Sequence, residues 1–368
     1  MSPVIRHIYV HIPFCARICP YCAFYKTKPD VVQSGRFCTA LLRELESSAG
    51  MFQLQPETIY VGGGTPTALS TIQLRDLLSG FRDRLDLSEL REWTVEANPG
   101  SVSVAKAAAL RDLGVTRISL GVQAWQDNLL NTLGREHNAQ QAEVSYRILR
   151  EVDFPSVNID LMFGIPGQTL SDWEATLART IALRPNHISA YCLTYEEDTD
   201  YFLRHASGEY LQDESADAQF FTTAIRSLTS AGYVHYETSN HAQPGHESLH
   251  NRGYWQGADY LGIGPSAFST VDFKRWQNVP DYRAYADRVL TGDSPIESHE
   301  QLTEAIKRSE RIALSLRTRD GVPADYLNAW PDERREFIEL GLLYDRGSHL
   351  VLTEKGKLLV DSVAEAFV

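Results

Sequence analysis

HIYVHIPFCARICPYC, His7 to Cys22, joins a β-type run to a thiol-bearing loop, and both halves bear on the fold. The run His7–Phe14 is rich in Ile, Val and Tyr and reads as a strand. Pro13 and Pro20 forbid a continuous helix, so Cys15-x3-Cys19-x2-Cys22 occupies a loop directly after that strand. Three thiolates at this spacing wrap one face of a small metal centre. A structural zinc site takes four ligands, and the common iron–sulfur clusters use four cysteines. A three-thiol loop therefore leaves one metal position for a substrate or cofactor. Two other readings of these residues stay open: zinc completed by His11 or by the distant Cys38, and thiols that bind nothing.

Outward from this stretch, short β-type runs alternate with helical patterns. The strands expected are His7–Phe14, Thr58–Gly64, Glu92–Asn98, Arg117–Gln123, Ser156–Gly164 and His187–Tyr195. The helices expected between and after them are Gln33–Ala49, Thr71–Leu85, Ser103–Leu113, Ala139–Glu151, Ser171–Leu183 and Asp213–Ala231. Ser103 and Ser171 read as N-caps, Gly114 and Gly232 as C-terminal stops. Six βα units in series imply a parallel sheet with right-handed crossovers. Six is two short of a closed eightfold barrel, so the fold class is α/β, a partial (βα)6 TIM-like barrel. A doubly wound open sheet is the alternative. In both, ligands bind at the carboxyl ends of the strands. Residues 1–235 form this unit. Residues 236–295, rich in His, Tyr, Trp, Gly and Pro, read as a barrel extension with a helix at Val279–Leu290. Residues 296–368 read as a winged-helix-like α+β domain: two helical runs, a hairpin of Leu340–Leu343 with Leu350–Thr353, and a helix Glu354–Phe367.

Composition narrows the function. The 368 residues allow roughly two domains, and 43% apolar residues suffice for a sizeable core. A formal charge of -13 and a pI near 5.3 argue against nucleic-acid binding by phosphate neutralisation. The last 73 residues hold 10 Lys plus Arg against 14 Asp plus Glu, so the winged module reads as a packing or docking domain. No run approaches the apolar length of a membrane helix, and no signal-peptide pattern precedes Cys15. Five cysteines make no disulfide framework, and a cytoplasmic location is expected.

Polar residues recur where the strands end. GGGTPT, Gly62–Thr67, closes the second strand; glycines admit a ligand close to backbone N–H groups, although a tight βα turn explains them equally well. Glu96 ends the third strand, Gln123 the fourth, and Asp160 lies in the fifth. A carboxylate or amide in an apolar strand is costly unless partnered. Three on successive strands point to one shared polar ligand in the barrel mouth.

The run Tyr9-Val-His-Ile-Pro-Phe-Cys15-x3-Cys19-Pro-Tyr-Cys22 resembles the cluster loop of the radical S-adenosylmethionine (SAM) superfamily. More narrowly it resembles the branch of the oxygen-independent coproporphyrinogen III oxidases and the HemW-type haem chaperones, over almost the whole chain. The resemblance implies a 4Fe-4S cluster on Cys15, Cys19 and Cys22, with SAM chelating the fourth iron. It implies SAM contacts from Gly63, Gly64, Thr65, Tyr9, Glu96, Gln123, Asp160 and Arg135 of GREH, Gly134–His137, with Tyr21 near the adenine. The chemistry implied is reductive cleavage of SAM under anaerobic or protected conditions. The oxidases carry a further cysteine where Phe24 stands and a longer segment before the cluster, whereas 14 residues precede Cys15 here. HNRGYW, His250–Trp255, matches the HNxxYW motif of the chaperones, making His250, Tyr254 and Trp255 haem candidates. Phe268 stands where relatives often place a His, leaving His241, His246 and Cys192 as alternatives among which nothing selects. The implied function is haem delivery to respiratory haemoproteins. Haem, such acceptors and a flavodoxin- or ferredoxin-type reductant are the partners, with peripheral membrane association through an acceptor. Coproporphyrinogen oxidation, or another radical SAM reaction, is the alternative.

Overall fold

The period-two spacing of apolar residues explains the sheet. The computed structural model describes residues 2–368. In strand β1 (Val4–Ile12), Ile8, Val10 and Ile12 are buried in the apolar core, while His7, Tyr9 and His11 lie on the opposite face. After helix α1 (Val31–Ala49), β2 (Gln53–Gly63) repeats the pattern: Ile59 and Val61 face the core, Thr58 and Tyr60 the other side. Helix α2 (Thr71–Arg82), β3 (Glu92–Ala97), α3 (Val104–Asp112) and β4 (Arg117–Gln123) follow. Then come α4 (Asp127–Thr132), α5 (Ala139–Glu151), β5 (Ser156–Phe163), α6 (Leu170–Leu183) and β6 (His187–Cys192). The six strands lie in chain order and pair in parallel. A doubly wound sheet reverses order at its switch point; this one does not. Strand β9 (Leu261–Ile263) extends the β1 edge in parallel. After α7 (Asp200–Ala206) and α8 (Glu214–Ser230), β7 (Val234–Glu237) and β8 (Asn240–Ala242) cover the β6 edge antiparallel. The terminal strands β7 and β9 do not pair, so the barrel is open.

Local chemistry sets the element ends. Ser103 caps α3, Ser70 and Asn138 make capping boxes with Gln73 and Gln141, and Gly114 and Gly232 follow α3 and α8 with positive φ. Ser171 is not a cap: Thr169 accepts from the Asp172 N–H and Asp172 from the Thr169 N–H, starting α6 one residue before Ser171. β2 starts five residues earlier than expected, at Gln53, and β6 ends three residues earlier, at Cys192; both reflect pairing with neighbours rather than propensity.

Beyond the barrel, α9 (Leu249–Trp255) precedes β9, and β10 (Phe268–Val271), β11 (Lys274–Asn278) and β12 (Ile296–Gln301) form an antiparallel sheet, with α10 (Tyr282–Thr291) packed on α1. Ile296–Gln301, the first segment of the unit in which two helical runs are expected, is not helical. It is a strand, because pairing with β11 satisfies its backbone. Then α11 (Glu304–Leu316), β13 (Val322–Pro323), α12 (Pro331–Glu339), β14 (Leu343–Asp345) and β15 (His349–Leu352) enclose a second core from Ile312 to Phe367. The expected terminal helix is two short ones, α13 (Glu354–Lys357) and α14 (Val360–Glu365). Among the described residues no helix is long and apolar enough to cross a membrane.

Candidate functional site

The thiol loop is tied at both ends. Thr27 N–H donates to Pro13 O (2.7 Å) and Cys15 N–H to Thr27 O (2.9 Å), closing the loop at the carboxyl end of β1. Cys15, Cys19 and Cys22 are free, partly exposed thiols. Cys15 Sγ lies 3.6 Å from Thr65 Oγ1, and Arg135 Nη1 lies 3.6 Å from Cys19 Sγ and 3.5 Å from the Tyr21 hydroxyl. Asn98 Nδ2 donates to Thr65 Oγ1 (2.7 Å), and Arg135 Nη2 donates to Asn98 Oδ1 and to Gly121 O (2.8 Å). The GGGTPT turn, β3, β4 and the GREH segment thus form one polar arc around the thiols. Burial pushes the Cys15 and Cys22 thiols up.

This donor set fits an iron–sulfur cluster better than zinc. His11 is spent within the fold, Nδ1 bonding the Tyr9 hydroxyl (2.9 Å) and Nε2 the Tyr25 carbonyl (3.0 Å). Cys38 sits in α1 against the core, its thiol pushed up to about 12 by burial. Among the described residues no three His, Cys, Asp or Glu side chains converge closely enough for a single ion.

Next to the thiols the barrel interior is polar. Glu96 is half-buried, accepting from the Tyr60 hydroxyl (2.7 Å) and the Gly63 N–H (3.0 Å), and desolvation pushes its carboxyl up to about 7. Asp160 accepts from Ser119 Oγ (3.2 Å) and Asn158 Nδ2 (2.6 Å), and desolvation raises it as well. Tyr9 stacks on Tyr60 with centroids 6.3 Å apart. Gln123 ends β4 at φ 70°, a left-handed conformation that an unbranched amide side chain holds only where surrounding structure imposes it. The structure therefore brings Tyr9, Gly63, Gly64, Thr65, Glu96, Gln123, Arg135 and Asp160 to the carboxyl half of the barrel, beside the thiols.

The HNRGYW residues lie elsewhere. Helix α9 packs under the amino ends of the strands, with Glu92 accepting from the Leu249 N–H (2.8 Å), the His250 N–H (3.2 Å) and Ser248 Oγ (3.2 Å). His250 is buried; Nδ1 bonds Thr58 Oγ1 (2.7 Å), Nε2 bonds the Tyr254 hydroxyl (3.1 Å), and the ring stacks on Tyr60 at 5.2 Å. Desolvation, with His7 and Arg117 nearby, pulls its pKa down to about 3. Both ring nitrogens are engaged, so His250 offers no free lone pair to an iron in this arrangement. The bond to Thr58 and the stack on Tyr60 fasten α9 to the barrel. Tyr254 lines one cavity at the C-terminal end of α9 and Trp255 a second, adjoining one. Phe268 is exposed at the start of β10. His241 stacks on His235 at 4.4 Å, His246 bonds Asn186 (3.4 Å), and burial pushes the Cys192 thiol up to about 12.

Sequence reading missed the lower interior: His7, Thr58, Tyr60, Glu92, Arg117, Asn158, His187 and Tyr236, joined by bonds such as His187 Nδ1 to Asn158 Oδ1 (2.6 Å) and Nε2 to the Tyr236 hydroxyl (2.8 Å). The signal was present as polar residues at every second position of each strand, a pattern opposite to the aliphatic filling of a closed barrel.

A model of the radical SAM superfamily matches residues 9–180. The heme chaperone HemW of Bacillus subtilis is 33% identical across 99% of both chains. Its counterpart from Mycobacterium tuberculosis is 35% identical over 98% of this chain and 94% of its own, and that of Escherichia coli 34% over 98% and 97%. The solved coproporphyrinogen III oxidase HemN of Escherichia coli, a radical SAM enzyme, superposes with a TM-score of 0.85 at 23% identity, covering 100% of this chain and 90% of that one. The open parallel barrel with a three-thiol loop at its mouth is that of a radical SAM protein. Within that superfamily, the chain belongs to the HemW family.

Proposed function

We propose that this protein is a haem chaperone that binds haem and passes it to respiratory haemoproteins. Its near full-length similarity to heme chaperones HemW, at 33–35% identity, is the observation that carries this reading. Cys15, Cys19 and Cys22 hold a 4Fe-4S cluster; the Arg135 guanidinium beside Cys19 offsets thiolate charge. Gly63, Gly64, Thr65, Glu96, Gln123, Asp160 and Tyr9 form the SAM cradle, with Glu96 and Asp160 held ready by neutral donors rather than salt bridges. When bound, the cluster and SAM supply one-electron reductive chemistry, fed by a flavodoxin- or ferredoxin-type donor. The chain's own part is to orient these groups and to keep the interior sealed at its lower end by α9.

The test is an anaerobic titration of cluster-reconstituted protein with haem, beside a sample given coproporphyrinogen III, SAM and reductant and followed by mass spectrometry. Stoichiometric haem uptake with no change in porphyrinogen mass is expected. Loss of two carboxyl groups from the porphyrinogen overturns the reading in favour of an oxidase.

A further inference from the structure

A large cavity lies at the C-terminal end of α9, away from the thiol loop. It has a volume of about 1480 Å³ and is walled by α9, the β10–β11 hairpin, α11 and the turn Ala324–Leu327. Drug-sized sites span roughly 300–1,000 Å³, so this one has room for a larger, flat molecule. Its aromatic walls are Tyr254, Tyr260, Phe273 and Tyr326. Tyr254 and Tyr260 meet edge to face at 4.7 Å, which fixes both rings.

Five basic and three acidic side chains line the cavity, in a chain whose net charge is -13. Most of the cations are engaged. Arg275 makes a two-pronged bond to Glu310 (2.8 Å each), Lys307 pairs with Asp259, Arg308 donates to the Tyr326 carbonyl (2.9 Å), and Arg317 pairs with Asp361. Arg311 differs. It is half-buried, packs its stem and one guanidinium nitrogen 3.6 Å from where a side chain on Gly257 would begin, and has no hydrogen-bond or ion-pair partner among the described residues. It also lines the smaller adjoining cavity that holds Trp255. A half-buried guanidinium between aromatic walls, with its five donors unspent, is built to receive a carboxylate.

We infer that this cavity seats haem, with a propionate on Arg311 and the macrocycle against Tyr254 and Tyr260. The inference rests on the haem-chaperone reading and adds to it a place and an anchor. It puts haem beside α9, at the end of the barrel opposite the thiol loop. Tyr254 then presents its ring to the ligand while its hydroxyl stays bonded to His250 Nε2, and His250 holds α9 to the barrel.

The experiment compares haem with haem dimethyl ester, which lacks free carboxylates, by anaerobic absorbance titration of the cluster-reconstituted protein. Arg311→Ala is expected to weaken haem about ten- to hundredfold, to leave the ester's affinity unchanged, and to be partly rescued by Arg311→Lys. Ala305→Trp, which fills the cavity from an exposed position on α11, is expected to weaken both ligands while the cluster absorbance stays intact. Wild-type haem affinity in both Arg311→Ala and Ala305→Trp overturns this placement and leaves the chaperone reading standing. A wild-type protein that takes up no haem overturns that reading itself.

Discussion

Gly62, Gly63 and Gly64 are required by their neighbours and not only by the turn they make. A Cβ on Gly62 would lie 2.7 Å from the Glu96 carboxyl, one on Gly63 would overlap the His11 imidazole, and one on Gly64 would lie 2.7 Å from Ile12 O. Gly63 also holds φ 98°. Gly63→Ala is therefore expected to cost about 2–5 kcal/mol, overpacking added to left-handed strain. Gly114→Ala, at φ 99° with open space around it, is expected to cost about 1–2 kcal/mol from strain alone. Urea denaturation of the two variants measures both, and equal losses would show that the His11 contact contributes nothing. The sequence displayed the glycine run but not its reason, because His11 and Glu96 come from other strands.

Helix α9 is too short to be stable by itself. Glu92, at the start of β3, holds its first turn through the Leu249 and His250 N–H groups and Ser248 Oγ. Glu92→Ala is expected to cost about 2–4 kcal/mol and to speed hydrogen exchange in Leu249–Trp255 before other segments; unchanged exchange there would mean that packing alone holds the helix. A second buried carboxylate joins α1 to the β9–β10 region. Glu44 accepts from the Gly264 N–H (2.8 Å), Asn278 Nδ2 (2.6 Å) and the Tyr285 hydroxyl (2.5 Å), and desolvation pushes it up to about 7. Between the unfolded carboxyl's pKa near 4.3 and this value, the native state binds the extra proton, so stability falls as pH rises through that window. Glu44→Gln is expected to remove about 1 kcal/mol of that loss per pH unit, read as the difference in urea stability between pH 5 and pH 7 for the two proteins. Buried His11 and His250, pulled down by desolvation to about 4 and about 3, act in the opposite sense, and the comparison cancels them.

Across the whole molecule one side chain links the two ends of the barrel. Tyr60 stacks on His250 below and donates to Glu96 above. Tyr60→Phe keeps the stack and removes the donor. It is expected to weaken SAM about tenfold in equilibrium dialysis while haem uptake stays unchanged. Equal SAM affinity would show that Glu96 needs no support from Tyr60.

The parallel α/β architecture and the place of the three-thiol loop after its first strand were legible in the chain, because period-two strands, glycine stops and a Pro-punctuated Cys15-x3-Cys19-x2-Cys22 are local signals. Arg117–Gln123 and Ala139–Glu151 have the bounds expected of them. The strand Ile296–Gln301 escaped that reading, because its extended character comes from pairing with β11 rather than from its own residues. The arc of Asn98 and Arg135 around the thiols and the seating of His250 beneath Tyr60 depend on residues far apart in the chain. Those were decided only by the tertiary fold. A motif names which side chains are present, whereas burial and hydrogen bonding across strands determine which of their atoms remain free for a ligand.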